Sequence, residues 1–333
     1  MRITSELLLK ITHDFVSQHS RADRDILAVY LQGSLLREHP TIAGTTDIDL
    51  FFIHADVVRD EREFVRITDE IHFDISHHPV SLYRRAKELR SHLWLGTAIE
   101  GCKIFYDPQH FLDFTQASVR GQFFRPDQVL NRVRPQAEHA RQIWMGFKAE
   151  PSKSSPQEVS TYLRALDHAA NSIACLSGPP LTERRFLMDF PERAAAVKHP
   201  GLYAGLLGLL GAPLVDAAKL RSWLGDWRAA YELVAQDYPH QRLHPDRLSY
   251  YLNAIEAMLD AEKFQTALWP LWRTWTHAVN LLPPQTPHLP AWQSAGESLG
   301  MLGKAFQERL TALDAFLDLI EETLDGWARE SGA

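Results

Sequence analysis

The chain is expected to be α+β, with a small mixed β-sheet and its helices over residues 1–115 and an all-α region over residues 116–333. Short apolar runs with period-two alternation fall only in the first part, at residues 26–31, 47–53, 71–76 and 103–106. Beyond about Gln116 that alternation gives way to long helical periodicities at 126–148, 156–176, 181–197, 215–235, 245–261, 264–281 and 299–324. Breakers separate them: the Pro/Ser run at 150–156, Gly178-Pro179-Pro180, and the proline-rich stretch 282–287.

Taken in order, Ser5 is placed to cap a first helix in which Leu7, Leu8, Ile11 and Phe15 recur at helical spacing. The strands at 26–31 and 47–53 follow, then a charged helix near 56–69 and the strand at 71–76. A basic helix at 82–89 leads to an apolar turn at Leu93-Trp94-Leu95, and the strand at 103–106 ends at Asp107-Pro108. The helices are expected on one side of the sheet. No fixed-period repeat supports a solenoid.

With 333 residues, 45% apolar and 23% charged, the chain can build two domains with cores. A net charge of −7 argues against broad attraction to nucleic acid, and so against a template-binding polymerase. Cys102 and Cys175 lie far apart and form neither a disulfide framework nor a cysteine zinc site. The first residues lack a charged-then-apolar signal layout, and the most apolar stretch, 201–214, is too short and too broken by Gly and Pro to span a membrane. A cytoplasmic protein with no membrane partner is expected.

The chemistry is concentrated in residues 31–76. In Asp47-Ile48-Asp49-Leu50-Phe51-Phe52-Ile53, strand alternation turns both acids to one face, ~7 Å apart at their Cα atoms, and Ile48, Leu50 and Phe52 to the other. Asp-x-Asp pairs arise by chance as solvated acids, but these apolar flanks do not suit a solvated loop. Like charges held together on a half-buried face repel unless a cation neutralises them, and Mg2+ is the simplest oxygen-seeking cation that leaves coordination for substrate phosphates. Upstream, the 26–31 strand ends at Gln32-Gly33-Ser34, where glycine lets backbone approach a ligand and serine adds a hydroxyl. A helix starting at Ser34 would place phosphate at its N-terminus. In Ile71-His72-Phe73-Asp74-Ile75-Ser76, Asp74 stands opposite the apolar face, and pairing beside the Asp47/Asp49 strand would bring three carboxylates together. Three acids holding two metal ions suit in-line phosphoryl or nucleotidyl transfer.

Leu31-Gln32-Gly33-Ser34, Asp47-Ile48-Asp49-Leu50 and Phe73-Asp74-Ile75 together resemble the DNA polymerase beta-like nucleotidyltransferase superfamily, and within it the minimal and aminoglycoside-type members. The stretch from Ile99 to Asp107 is similar to the segment that closes their catalytic domain, so the resemblance covers about the first third of the chain. It departs in having Thr46 where many relatives have serine, which keeps the hydroxyl, and in a long 37–44 loop. The resemblance implies a nucleotidyltransferase domain followed by a helical substrate-binding lid. It also implies two Mg2+ ions, with Mn2+ able to substitute, on Asp47, Asp49 and Asp74. ATP or another NTP would be the co-substrate, held by Gly33, Ser34, Thr46 and Arg37.

In the helical part, Arg164, Asp167, His168 and Asn171 share one helix face, which reads equally as a cleft lining with Arg164 on a triphosphate or as a solvated face. Arg185, beside Arg184, resembles a basic position turned toward phosphate in related adenylyltransferases, or else sits on the surface. Trp223/Trp227 and Trp269/Trp272/Trp275 at helical spacing read first as core and second as a stacking platform. Among the sixteen histidines, His77-His78 is the obvious pair, but neighbours on a strand face opposite ways, and no histidine is assigned to metal. The expected reaction moves AMP from ATP to a hydroxyl of a small molecule, an aminoglycoside-like compound among them. The rivals are an adenylyltransferase acting on a protein acceptor, as antitoxin-type relatives do, and a catalytically silent nucleotide-binding regulator.

Overall fold

The computed structural model describes residues 4–56, 58, 61–149, 154–238 and 240–333. Alternating apolar residues build a five-stranded mixed sheet from β1 (Ile26–Gln32), β2 (Thr46–His54), β3 (Arg62–Arg66), β4 (Ile71–Pro79) and β5 (Lys103–Tyr106). Its order is β3-β4-β2-β1-β5; β2 and β4 run parallel, and the other neighbouring pairs are antiparallel. With the helices around it and the helical region that follows, the chain is α+β as expected.

Helix α1 (Ser5–Ala22) lays Leu8 and Val16 on one sheet face, against Val29, Leu31, Leu50, Phe52, Phe73 and Ile75. The other face, through Ala28, Tyr30 and Ile53, packs on Leu89 of α2 (Ala86–Leu89), Ala98 and Ile99 of α3 (Leu93–Gly101), and Leu112 and Val119 of α4 (Phe111–Arg120). Helices therefore cover both faces, because β1 is apolar on both sides and cannot leave either to water.

Four local expectations change. Thr4, one residue before Ser5, caps α1 and accepts from the Leu7 N–H at 3.3 Å. Where a charged helix was expected near 56–69, residues 62–66 form β3, because β4 offers an open edge for pairing; residues 57, 59 and 60 lie outside the described residues. The basic segment is a 3-10 turn, Val80–Tyr83, and the four residues of α2 rather than one helix. Leu93-Trp94-Leu95 is the first turn of α3, started by the His92 ring, which accepts from the Leu95 N–H at 3.0 Å.

By its contacts the chain divides into one unit of Met1–Gln128 with Leu252–Ala254 and a second of Val129–Tyr251 with Ile255–Ala333. Helix α5 (Pro126–Ala149) starts at the end of the first. Then come α6 (Pro156–Ala174), α7 (Phe186–Ala196), α8 (Gly201–Leu209), α9 (Ala217–Asp237), α10 (Leu248–Asp260), α11 (Phe264–Leu281), α12 (Leu289–Ser298) and α13 (Gly303–Ser331). Of the expected breaker at 150–156, residues 150–153 lie outside the described residues; Ser155 and Glu158 form a capping box that starts α6.

Trp223 and Trp227, and Trp269, Trp272 and Trp275, are core. Trp227, Trp269, Trp272, Trp275 and Trp292 are fully buried, and Trp272 stacks on Trp292 with ring centroids 5.4 Å apart. Trp227 and Trp292 donate their indole N–H to Thr274 and Thr276 at 2.9 and 3.0 Å, which places two polar atoms of α11 inside an aromatic core without leaving them unpaired. Beside it lies a buried ionic cluster: Arg273 pairs with Asp167 at 2.8 Å, and Tyr251 donates to Glu183 at 2.7 Å. Burial alone would raise the Glu183 carboxyl, but Arg242, Arg247, Arg273 and the Tyr251 hydroxyl outweigh it and hold it well below the usual carboxylate range.

Candidate metal-binding site

Strand alternation and register assemble the site. Asp47 and Asp49 lie on β2 and Asp74 on β4, where Asp49 and Asp74 are direct partners across the parallel ladder. Their neighbours Ile48, Leu50, Phe73 and Ile75 belong to the core under α1, so all three acids point to the opposite face. One carboxylate oxygen from each lies within 4.8 Å of the others, an arrangement that could hold a metal ion. Asp47 is 7% exposed and Asp74 3%, while Asp49 is half-buried. Three hard, anionic oxygen donors fit Mg2+ or Mn2+ better than zinc or copper.

The turn after β1 is built against this cluster. Gly33 has φ +89° and ψ −152°, a conformation that essentially only glycine adopts. A Cβ there would stand 1.9 Å from Asp49 Oδ2, so the missing side chain is what gives that carboxylate its space. Ser34 Oγ lies 2.8 Å from Thr46 Oγ1, and Thr46 donates to the carbonyl of Asp47 at 3.1 Å or Pro40 at 3.3 Å. The two hydroxyls thus tie the turn to the start of β2. The segment beginning at Ser34 is a three-residue 3-10 turn, Ser34–Leu36, instead of the expected helix. So short a turn lacks the aligned peptide dipoles of a phosphate-binding helix terminus, which leaves the local N–H groups and the Ser34 hydroxyl as the donors a phosphate could meet there.

One site residue was not expected from the sequence. Arg62, the first residue of β3, donates Nε to Asp74 Oδ1 at 2.6 Å and Nη2 to Oδ2 at 2.5 Å, a two-pronged ion pair. Its side chain is 32% exposed against 2% for that of Asp74, and its guanidinium lies 5.4 Å from the centre of the Phe64 ring. Phe64-Val65, an aromatic beside a β-branched residue and followed after a short polar turn by Ile71, was the signal available for this strand.

Arg37 closes the 3-10 turn with its N–H on the Ser34 carbonyl at 3.0 Å and is half-buried. Arg164 is exposed on α6, and Arg185 is half-buried in the 3-10 turn Glu183–Arg185; both belong to the second unit. The companions of Arg164 on its helix face make internal contacts. Asn171 donates to Asp167 at 2.8 Å and accepts from the Leu181 N–H at 2.7 Å, and His168 meets Gln136 at 2.6 Å.

His77 and His78 point apart as strand geometry requires. His77 Nδ1 meets His54 Nε2 at 2.9 Å, whereas His78 Nδ1 meets the Tyr83 hydroxyl at 2.6 Å. Burial, helped by His77, lowers His78 to about 4. Burial pushes the Cys102 and Cys175 thiols up to about 12, which leaves both as protonated core groups. No helix among the described residues is long and apolar enough to cross a membrane. Compared with known proteins, the chain matches no protein-family model and no curated sequence.

Proposed function

We propose that the chain is a metal-dependent nucleotidyltransferase that moves an NMP group, AMP from ATP, to a hydroxyl of a small molecule and releases pyrophosphate. The observation that carries this reading is the convergence of Asp47, Asp49 and Asp74 from two paired strands, beside a turn whose glycine makes room for Asp49. Asp47, Asp49 and Asp74 would hold Mg2+, which when bound neutralises phosphate charge and aligns the reacting oxygens. The Gly33-Ser34 turn would set the nucleotide phosphates against backbone, and Asp74 would draw the proton from the acceptor hydroxyl.

A second reading, a nucleotide-binding regulator without turnover, has one observation in its favour. Both oxygens of Asp74 already accept from Arg62, which makes Asp74 a poor base while that pair stands. A third, transfer to a protein hydroxyl, shares every residue and differs in the acceptor alone.

The deciding experiment is a screen of the four NTPs with Mg2+ and Mn2+, measuring nucleotide binding and pyrophosphate release with hydroxyl-bearing small molecules and with candidate proteins. Asp47→Asn and Asp49→Asn are each expected to lose about a hundredfold or more of the release, with the thermal midpoint kept. Full turnover in either variant would refute the metal-dependent mechanism. Nucleotide binding without release under any acceptor supports the regulator.

A further inference from the structure

Strand alternation places His54 of β2 and His77 of β4 on the α1 face of the sheet, with Phe52 and Ile75 and opposite the three acids. His77 thus faces away from its chain neighbour His78 and toward His54, a pairing that sequence spacing hides. Its Nδ1 lies 2.9 Å from His54 Nε2. The far nitrogen of each ring is turned to a carboxylate: His54 Nδ1 meets Asp25 Oδ2 at 3.0 Å, and His77 Nε2 stands 3.6 Å from Glu63 Oε2. Asp25 accepts the Nδ1 proton of neutral His54, which leaves Nε2 as a bare lone pair. His77 Nδ1 therefore holds the proton of the ring-to-ring contact, whatever else that ring touches. The histidine pair of the second unit is built differently. His277 Nε2 is 3.2 and 3.3 Å from the two nitrogens of His240, so neither lone pair of that ring is aimed at it.

A histidine that ligates a metal gives one ring nitrogen to the ion and the other N–H to a carboxylate, which is the layout of both rings here. We propose that His54 Nε2 and His77 Nδ1 form a Zn2+ site, with water in the two remaining positions of its tetrahedron. Zinc–nitrogen bonds of about 2.0–2.1 Å at a tetrahedral angle need the nitrogens about 3.3 Å apart, so the rings part by about 0.4 Å and tilt off their common line. The proton on His77 Nδ1 moves to Nε2, on the side of Glu63, and a neutral pair takes the ion without releasing a proton. The two side chains are 11% and 18% exposed, so solvent reaches both rings. Zinc there ties β2 to β4 at the end of the parallel ladder that also carries Asp49 and Asp74. An ion on one face of the sheet thereby holds the register that the acids on the other face depend on.

The test is a Zn2+ titration of the full chain in excess Mg2+, followed by calorimetry, by the nitrogen–proton spectrum of the imidazole rings and by the thermal midpoint. Wild type is expected to bind Zn2+ with His77 passing from the Nδ1–H to the Nε2–H tautomer. At zinc about a hundredfold above the dissociation constant the midpoint should rise by about 5 °C or more. His54→Ala and His77→Ala should each weaken the binding about tenfold or more and lose the rise, whereas His277→Gln should keep both. Unchanged affinity in the two alanine variants, or an unchanged His77 tautomer at saturation, overturns the proposal. Binding that is lost in Asp47→Asn and kept in His54→Ala assigns the ion to the acids and overturns it as well. Should the alanine variants lose their circular dichroism, Asp25→Asn carries the test, since it keeps an oxygen for the Asp56 N–H and removes the carboxylate behind His54. It should cost about tenfold in zinc affinity, and no loss there refutes the site.

Discussion

Replacing Gly33 with alanine separates the two reasons a glycine stands beside the acids. The first is backbone: φ +89° with ψ −152° is a region where a Cβ costs about 1–3 kcal/mol. The second is contact, since the new Cβ would lie 1.9 Å from Asp49 Oδ2 and 2.9 Å from its Cγ, and the carboxylate must give way at about 1–3 kcal/mol more. Gly33→Ala should therefore destabilise the first unit by about 2–6 kcal/mol. In an Asp49→Ala background the oxygen is gone and the nearest remaining atom of that side chain, Cβ, is 3.3 Å away, so the backbone part is what survives. A double-mutant cycle read by urea denaturation should return a coupling of about 1–3 kcal/mol between positions 33 and 49. A coupling under about 0.5 kcal/mol would show that Asp49 does not depend on the glycine for its place, and the reasoning about the turn would fail.

Other consequences are open to direct measurement. Arg141 on α5 reaches Asp314, Asp318 and Glu321 of α13 at 2.6, 2.6 and 2.8 Å, with its own side chain 14% exposed. Arg141→Ala should lower the stability of the second unit by about 2 kcal/mol, with the loss shrinking at about 1 M salt; a loss that salt does not alter would refute the ionic account. Burial, then His240, Arg242 and Arg273, lower His277 from 6.5 to about 4. The unfolded chain therefore binds this proton more readily, so the contribution is full above pH 6.5 and is lost as pH falls from 6.5 toward 4. Glu183, depressed from 4.5, loses its share only below that value. The urea midpoint followed by tryptophan fluorescence should fall across the first window in wild type and fall less in His277→Gln, where His78 and His168, also lowered by burial, keep part of the slope; a level wild-type curve would contradict the burial of neutral imidazole.

The sheet residues that form the site were legible because each strand states its own face. Ile48, Leu50 and Phe52, and Ile71, Phe73 and Ile75, mark the core side, and Asp47, Asp49 and Asp74 follow by alternation. Arg62 was hidden because Arg62–Arg66 becomes a strand only by pairing with β4, and its charges read locally as a helix surface. Helices α8 and α12 were missed for a related reason. Gly201, Gly205 and Gly208 give α8 poor intrinsic propensity, and packing decides in its favour. A Cβ at Gly205 would come within 3.1 Å of the Phe316 ring, so the glycine that weakens the pattern is what lets α8 approach α13. The first turn of α3 was misread because a run of apolar residues has no period; the cap that starts it is a histidine.

The parallel pairing of β2 with β4 makes the spacing between Asp49 and Asp74 a property of the main chain. Side chains elsewhere can be exchanged, and the stretch between the two strands lengthened or shortened, without changing that spacing so long as the hydrogen-bonded ladder persists. A slip by one residue would turn Asp74 to the wrong side altogether. The site thus behaves as a digital element, present whole or lost whole. Amide exchange along β4 would report on its integrity before any ligand is known.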